Sequence, residues 1–164
     1  CGYYSGEHVT GFEEGRPLLV HPPESRFTFA NLARSILFSA LATLKLGIKT
    51  LEEEKVRIDR ILGHGGLYKE GEAGQRLTAA ALRTPVTVMD TASEGGAWGI
   101  ALLAAYMADH QDGETLRDWL DRRVFRQMGG SRLAPDPQDV DGFETYMARF
   151  TAGLMVERAA VTHL

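Results

Sequence analysis

Cysteine is almost missing from this 164-residue chain: the only one is Cys1. No internal disulfide can form, and a Cys-x-x-Cys metal site is excluded. The scarcity favours a reducing compartment. Clustered positive charge is missing too. The densest basic stretch, residues 117–126, is interleaved with Asp118 and Asp121. With a formal charge of -4 and a pI near 5.7, that pattern argues against a polyanion-binding surface, so nucleic acid is not an expected partner. No apolar run reaches the ~20 residues needed to cross a bilayer, and no charged-then-apolar leader opens the chain. The expectation is therefore no membrane partner and a cytoplasmic location. The first residue is Cys rather than Met, which reads as a piece of something longer.

What is present suits one soluble globular domain: 44% hydrophobic residues, a mean hydropathy of -0.18, and enough length to bury a core. Residues 1–26 read as short strands and turns. Gly11 and Gly15 bracket a turn, and Leu18, Leu19 and Val20 form an apolar trio stopped by Pro22 and Pro23. A helix is predicted over 27–46, where Phe29, Leu32, Ala33, Ile36, Leu37, Ala40, Leu41 and Leu44 recur at helical spacing and Gly47 supplies the stop. So wide an apolar face implies burial. An acidic link, 51–54, precedes the strand "KVRIDRIL".

A glycine turn and a polar loop to about Gly71 follow, then a helix to about Arg83 built on "AGQRLTAAAL". "TPVTVMD" is the next strand. "TASEGGAWGIALLAAYMA" is a third helix, with Ser93 as N-cap and Glu94 complementing the helix dipole. Residues 113–126 give a fourth, amphipathic helix, "GGSRLAPDPQD" a loop, and 140–160 a last helix carried by Phe143, Met147, Phe150 and Leu154. The alternation of strand and helix predicts an α/β fold, a sheet with helices packed on it.

The chemistry concentrates at two strand-to-helix turns, the place where open α/β sheets bind ligands. "RILGHGG" ends its strand in Gly63, Gly65 and Gly66. Glycine permits positive φ and lets a flat ring or phosphate approach main chain directly; a plain tight turn uses it equally well. The spacing is neither the G-x-G-x-x-G fingerprint nor a Gly-Lys-Ser/Thr loop. Lys69, three residues on, can meet a phosphate or sit in solvent. About 30 residues later, Gly95, Gly96 and Gly99 occupy the first turns of a helix. There each costs roughly 1 kcal/mol against Ala unless something packs closely on it.

The ordered pieces Gly63-His64-Gly65-Gly66, Arg83-Thr84-Pro85-Val86 and Glu94-Gly95-Gly96-Ala97-Trp98-Gly99-Ile100-Ala101 resemble the carboxy-terminal lobe of the FGGY carbohydrate kinases, the group of xylulokinase, ribulokinase and glycerol kinase. The wording is closest to the pentulose-kinase-like members. The resemblance is strong over 55–107, moderate over helix 27–46 and over the closing "PDPQDVDGFETYMARF", and poor over 1–26. It implies a ribonuclease-H-like lobe of the actin, chaperone and sugar-kinase ATPase type, with a mixed sheet and packed helices, spanning 1–164. It further implies ATP and Mg²⁺ as cofactors, with Gly65 and Gly66 against the adenosine, then Gly63, and with Ser93 and Glu94 as further nucleotide-site residues. Lys69 joins them only from its position after the glycines, because the family's contacts there do not transfer to this longer loop.

The sugar pocket and base carboxylate belong, in this family, to an amino-terminal lobe that would bind the ketopentose or polyol. The residues here are expected to have no sugar kinase activity alone. A homodimer is compatible with the sequence. A non-catalytic actin-like or chaperone-like nucleotide module is the alternative, and an interaction domain without ligand a third. The chain departs from the family in having His64 within the glycines, a longer loop at Leu67-Tyr68-Lys69-Glu70, Phe38-Ser39 where relatives show Glu-Gly, and no legible threonine-bearing phosphate turn.

Other residues carry less. His64 can face a phosphate or make ordinary turn hydrogen bonds. His8, His21, His110 and His163 lack ligand spacing. Asp90 can reach Mg²⁺ through water or merely start a helix, and Asp59 reads as solvent-facing or paired. Trp98 and Tyr106 read as packing residues.

Overall fold

The computed structural model describes residue 2 and residues 5–58, 61–69, 71–92, 95–127 and 129–164. The chain opens on an antiparallel hairpin, β1 (Ser5–Glu7) and β2 (Phe12–Glu14), in the register Ser5↔Glu14 and Glu7↔Phe12. Gly11 closes the intervening turn at φ 76°, a left-handed conformation that suits glycine. Phe12 is buried and lies 4.8 Å beneath the Arg158 guanidinium. The backbone N–H of Arg16 donates to Glu157 Oε1 at 2.7 Å, which ties the end of this segment to the last helix. Glu157 is wholly buried, and its Oε2 has no partner among the described residues. The apolar trio at 18–20 forms no element.

Helix α1 (Phe29–Glu53) starts on Thr28, whose side chain accepts the N–H of Asn31 at 3.2 Å. It does not stop at Gly47 as expected. It continues through the predicted acidic link and ends where Lys55 turns to φ 58°. The physical reason is tertiary: a glycine in a helix interior only weakens the helix, and here the bare face of Gly47 lies against Val9 of the hairpin. With that extension α1 is long and apolar enough to cross a membrane by length and composition, contrary to the reading from uninterrupted runs. It nevertheless buries Phe38, Leu41 and Ala42 in the protein core.

The main sheet has the order β3 (Ile61–Gly63), β4 (Val86–Met89), β5 (Gly130–Leu133). β3 and β4 are parallel, with Gly63 opposite Val88, and β5 is antiparallel to β4. β5 lies inside the stretch expected to be a loop. Its residues show no apolar alternation, and it is held instead by Gln75. That side chain donates to the carbonyls of Val86 (2.8 Å) and Ser131 (2.9 Å) and accepts from the Ser131 hydroxyl (2.8 Å).

Gln75 sits on α2 (Ala73–Leu82), whose run of small residues lets it lie close between sheet and helices; Ala79, Ala80 and Ala81 are wholly buried. Then follow α3 (Gly95–Asp109), α4 (Leu116–Arg123) and α5 (Pro137–His163). The predicted helix 113–126 is shorter because Thr115, accepting from Asp118 N–H, caps it. The last helix starts before 140 because Asp136 caps it ahead of Pro137, a favoured start.

The core joins α1, α2 and α5 through Phe38, Leu41, Leu77, Ala81, Leu82 and Phe143. Phe38 and Phe143 meet edge to face at 5.1 Å. Tyr146 flanks them, and burial pushes its phenol up to about 12 while a hydrogen bond with Ser39 works the other way. Across the same three helices, buried Asp139 of α5 pairs with Arg76 of α2 and, at 3.6 Å, with Arg34 of α1. That hydrogen bond to Asp139 is the main reason the Arg76 guanidinium is raised above its ordinary value.

Candidate functional site

Because β3 and β4 run parallel, both glycine-bearing turns leave the sheet at its carboxyl end. They are also fastened together: the N–H of Gly65 donates to the Ala92 carbonyl at 2.8 Å. Gly65 has φ 102° and ψ -177°, a region essentially closed to residues with a Cβ. The turn then winds through a short 3-10 segment, Gly66–Tyr68, ended by Lys69, whose N–H donates to Gly66 O at 3.2 Å.

The glycines divide into two kinds. A Cβ built on Gly65, Gly66, Gly96 or Gly99 would meet nothing within 4 Å, so the bare faces of both turns look into open space. A Cβ on Gly63 would instead lie 2.6 Å from Tyr68 Cζ. Gly63 is buried, and its missing side chain makes room for that ring. Tyr68 is anchored in turn by its hydroxyl, which donates to Thr78 Oγ1 at 3.3 Å. Gly95 is likewise covered, by the ring and Cβ of His64.

The other expected site residues fall as follows. Lys69 is exposed just beyond the first turn. Ser93 and Glu94 lie outside the described residues, as does Asp59. Asp90 is exposed at the end of β4, with its carboxylate beside Gly129 and its N–H donating to Gly129 O at 3.3 Å. Trp98 is half-buried on α3. The Tyr106 hydroxyl donates to the Glu114 carbonyl at 2.7 Å, which agrees with a packing role. His21 stacks on Phe27, and His110 tilts against Tyr106. Among the described residues no group of three His, Cys, Asp or Glu is placed to hold a metal ion.

Two residues were not singled out from the sequence. Thr91, between the end of β4 and α3, has a buried hydroxyl oxygen with no hydrogen-bond partner among the described residues. A satisfied hydroxyl is the rule in such places, and an orphan one invites a ligand or water. No sequence signal marks it. Tyr68 is the other, and an aromatic shortly after a glycine turn was the available cue.

Among the described residues the arrangement offers main chain and open space rather than concentrated charge. Such a surface suits a flat ring and its polar edges more than a reacting centre. A cleft of about 360 Å³ lies between Gly2, Glu7 and the α1 residues Ile36, Ser39, Ala40 and Thr43, and contains neither turn.

A family model described as the FGGY family of carbohydrate kinases, C-terminal domain, matches residues 1–108. The match includes both glycine turns. It also takes in the opening residues 1–26, where the resemblance by motif is poor, and ends before the closing helix, where that resemblance is moderate. No curated protein matches the chain.

Proposed function

The chain belongs to the FGGY family of carbohydrate kinases, through its carboxy-terminal domain, and from that premise we propose that it is the ATP-binding half of a sugar kinase. The α/β architecture with a mixed sheet agrees with the ribonuclease-H-like lobe which that membership implies. The full enzyme would transfer the γ-phosphate of ATP to a hydroxyl of a ketopentose, xylulose- or ribulose-like, or of a related polyol. One observation carries the reading. Two glycine turns at the same end of a parallel strand pair are hydrogen-bonded to each other and present bare faces to open space. Those faces fit a nucleotide, because a flat base needs close main-chain approach.

In this reading Gly65 and Gly66 line the slot directly, and Gly63 supports it by seating Tyr68. Lys69, Ser93 and Glu94 stand next to it in sequence. The buried Thr91 hydroxyl, without a hydrogen-bond partner among the described residues, lies in the second turn. Mg²⁺ would arrive on the phosphates, since it usually binds through substrate phosphate and water rather than a protein cage. Phosphoryl transfer rests on positioning, charge stabilisation and a base that orients the acceptor hydroxyl. We assign that base and the sugar pocket to an amino-terminal lobe with which these residues act, so this lobe by itself is expected to be inactive. The assignment carries a cytoplasmic location and no nucleic-acid or membrane partner, and leaves a homodimer open.

The test is Gly66→Val in the intact kinase. The side chain would enter the open face, so KM for ATP should rise about tenfold or more, the loss of roughly one good contact. KM for the sugar should stay within about twofold. A raised sugar KM with an unchanged ATP KM would overturn the proposal.

A further inference from the structure

We propose that His64 is a positioning residue for the nucleotide: standing on the bare face of Gly95, it holds the first turn of α3 at a set distance from the β3 turn and so fixes the width of the slot. This rests on the nucleotide reading above and goes beyond it, since it gives a role to His64, a residue that reading leaves unused.

Three observations carry it. First, Gly95 differs from its neighbours. Gly65, Gly66, Gly96 and Gly99 face open space, whereas a Cβ on Gly95 would lie 3.2 Å from His64 Nδ1 and 3.3 Å from its Cβ. The imidazole therefore rests directly on the main chain of the second turn. Second, the bond from Gly65 N–H to Ala92 O is a single hydrogen bond. It extends the β3–β4 pairing, which ends at Gly63↔Val88, into the turns themselves. The His64–Gly95 contact, one residue earlier on the first turn and three residues later on the second, adds a further point of support beyond that bond. Third, α3 packs loosely along its length: among its described residues none is buried, and Ile100 and Met107 stand 70% and 77% exposed. Its far end is tied to α4, by Trp119 Nε1 to Asp109 Oδ2 at 3.3 Å and by Arg123 to Asp109 at 2.9 Å. The His64–Gly95 contact is thus a direct side-chain hold on the first turn of α3.

The experiment is a double-mutant cycle in the intact kinase, read as KM for ATP, KM for sugar and kcat. His64→Gly removes the strut and should raise the ATP KM about three- to tenfold, with sugar KM and kcat within about twofold, the size of coupling expected for groups in contact. His64→Phe keeps the bulk without the ring nitrogens and should restore the ATP KM to within about twofold of the parent. Gly95→Ala pushes on the ring and should also raise the ATP KM. In the His64→Gly background, however, Gly95→Ala should add nothing, because the group it strikes is gone.

Losses that multiply independently would overturn the proposal, as would an unchanged ATP KM in His64→Gly. A failure of His64→Phe to rescue would also overturn it, by pointing to a polar contact with ligand instead of a strut. Gly66→Val is the reference: if it raises the ATP KM while His64→Gly does not, the nucleotide reading stands and the strut falls. If Gly66→Val has no effect on ATP, both fall. His64 is exposed, so its removal is not expected to unfold the protein, and melting temperature serves as the control.

Discussion

Glycine at 63, 65 and 66 looks equivalent in the sequence, yet the three positions do different work. Gly65 is needed for its own backbone, at φ 102°. Gly63 is needed for the Tyr68 ring that covers it, and Gly66 for the space it leaves clear. Ion pairs divide in the same way. Glu114 accepts from Arg122 Nε at 2.7 Å and Nη2 at 2.9 Å, and its carboxyl is held down to about 2, first by Arg122 and then by the N–H of Gln111. A depressed carboxyl contributes stability that is present above its ordinary value of 4.5 and is lost as pH falls through about 2. An NMR titration of the Glu114 carboxyl should therefore show a midpoint near 2, moving back toward 4.5 in Arg122→Ala. A midpoint already near 4.5 in the parent would show that the fork does not persist in solution.

At the scale of elements, the helices were largely legible and one strand was not. α1, α2 and α3 carry their own signals in apolar spacing and small-residue runs, whereas the Thr28 cap of α1 was found only in the structure. β5 carries none, because its four residues are mostly exposed and its hold comes from Gln75, on a helix far earlier in the chain. The end of α1 was misjudged for a related reason. Gly47 is a local stop signal, but the hairpin packs on its bare face and the helix continues. A Cβ there would stand 3.6 Å from Val9 Cγ1, an ordinary contact. Gly47→Ala should thus stabilise the protein by up to about 1 kcal/mol, through helix propensity and a less flexible unfolded chain. A lowered midpoint in urea denaturation would mean that the hairpin sits closer to α1 than this geometry allows.

For the molecule as a whole, the core and the candidate site adjoin, with Leu67 of the first turn packed against the core cluster, yet their centres are distinct. The core lies where α1, α2 and α5 meet, and the two glycine turns lie at the carboxyl end of the sheet. Phe143, wholly buried against Phe38, belongs to the first region alone. Phe143→Ala should cost about 3–5 kcal/mol in denaturant unfolding. In whatever fraction remains folded, the affinity for ATP should be unchanged. A selective loss of ATP affinity, with unfolding little affected, would join the two regions and contradict this division. The family match spans the turns and α1 but not α5, so the matched and unmatched parts of the chain share one core.

The sequence by itself determined what is local: that glycines stand after one strand and at the start of the helix after the next, that helices follow both strands, and that a single cysteine allows no internal disulfide. Those features depend on neighbours within a few residues, so they can be read along the chain. Only the tertiary structure decided which bare faces are filled and which stand open. Tyr68 covers Gly63 and His64 covers Gly95, while Gly65, Gly66, Gly96 and Gly99 look into empty space. A glycine announces freedom of its own backbone, but what occupies the volume opposite it depends on how distant segments cross.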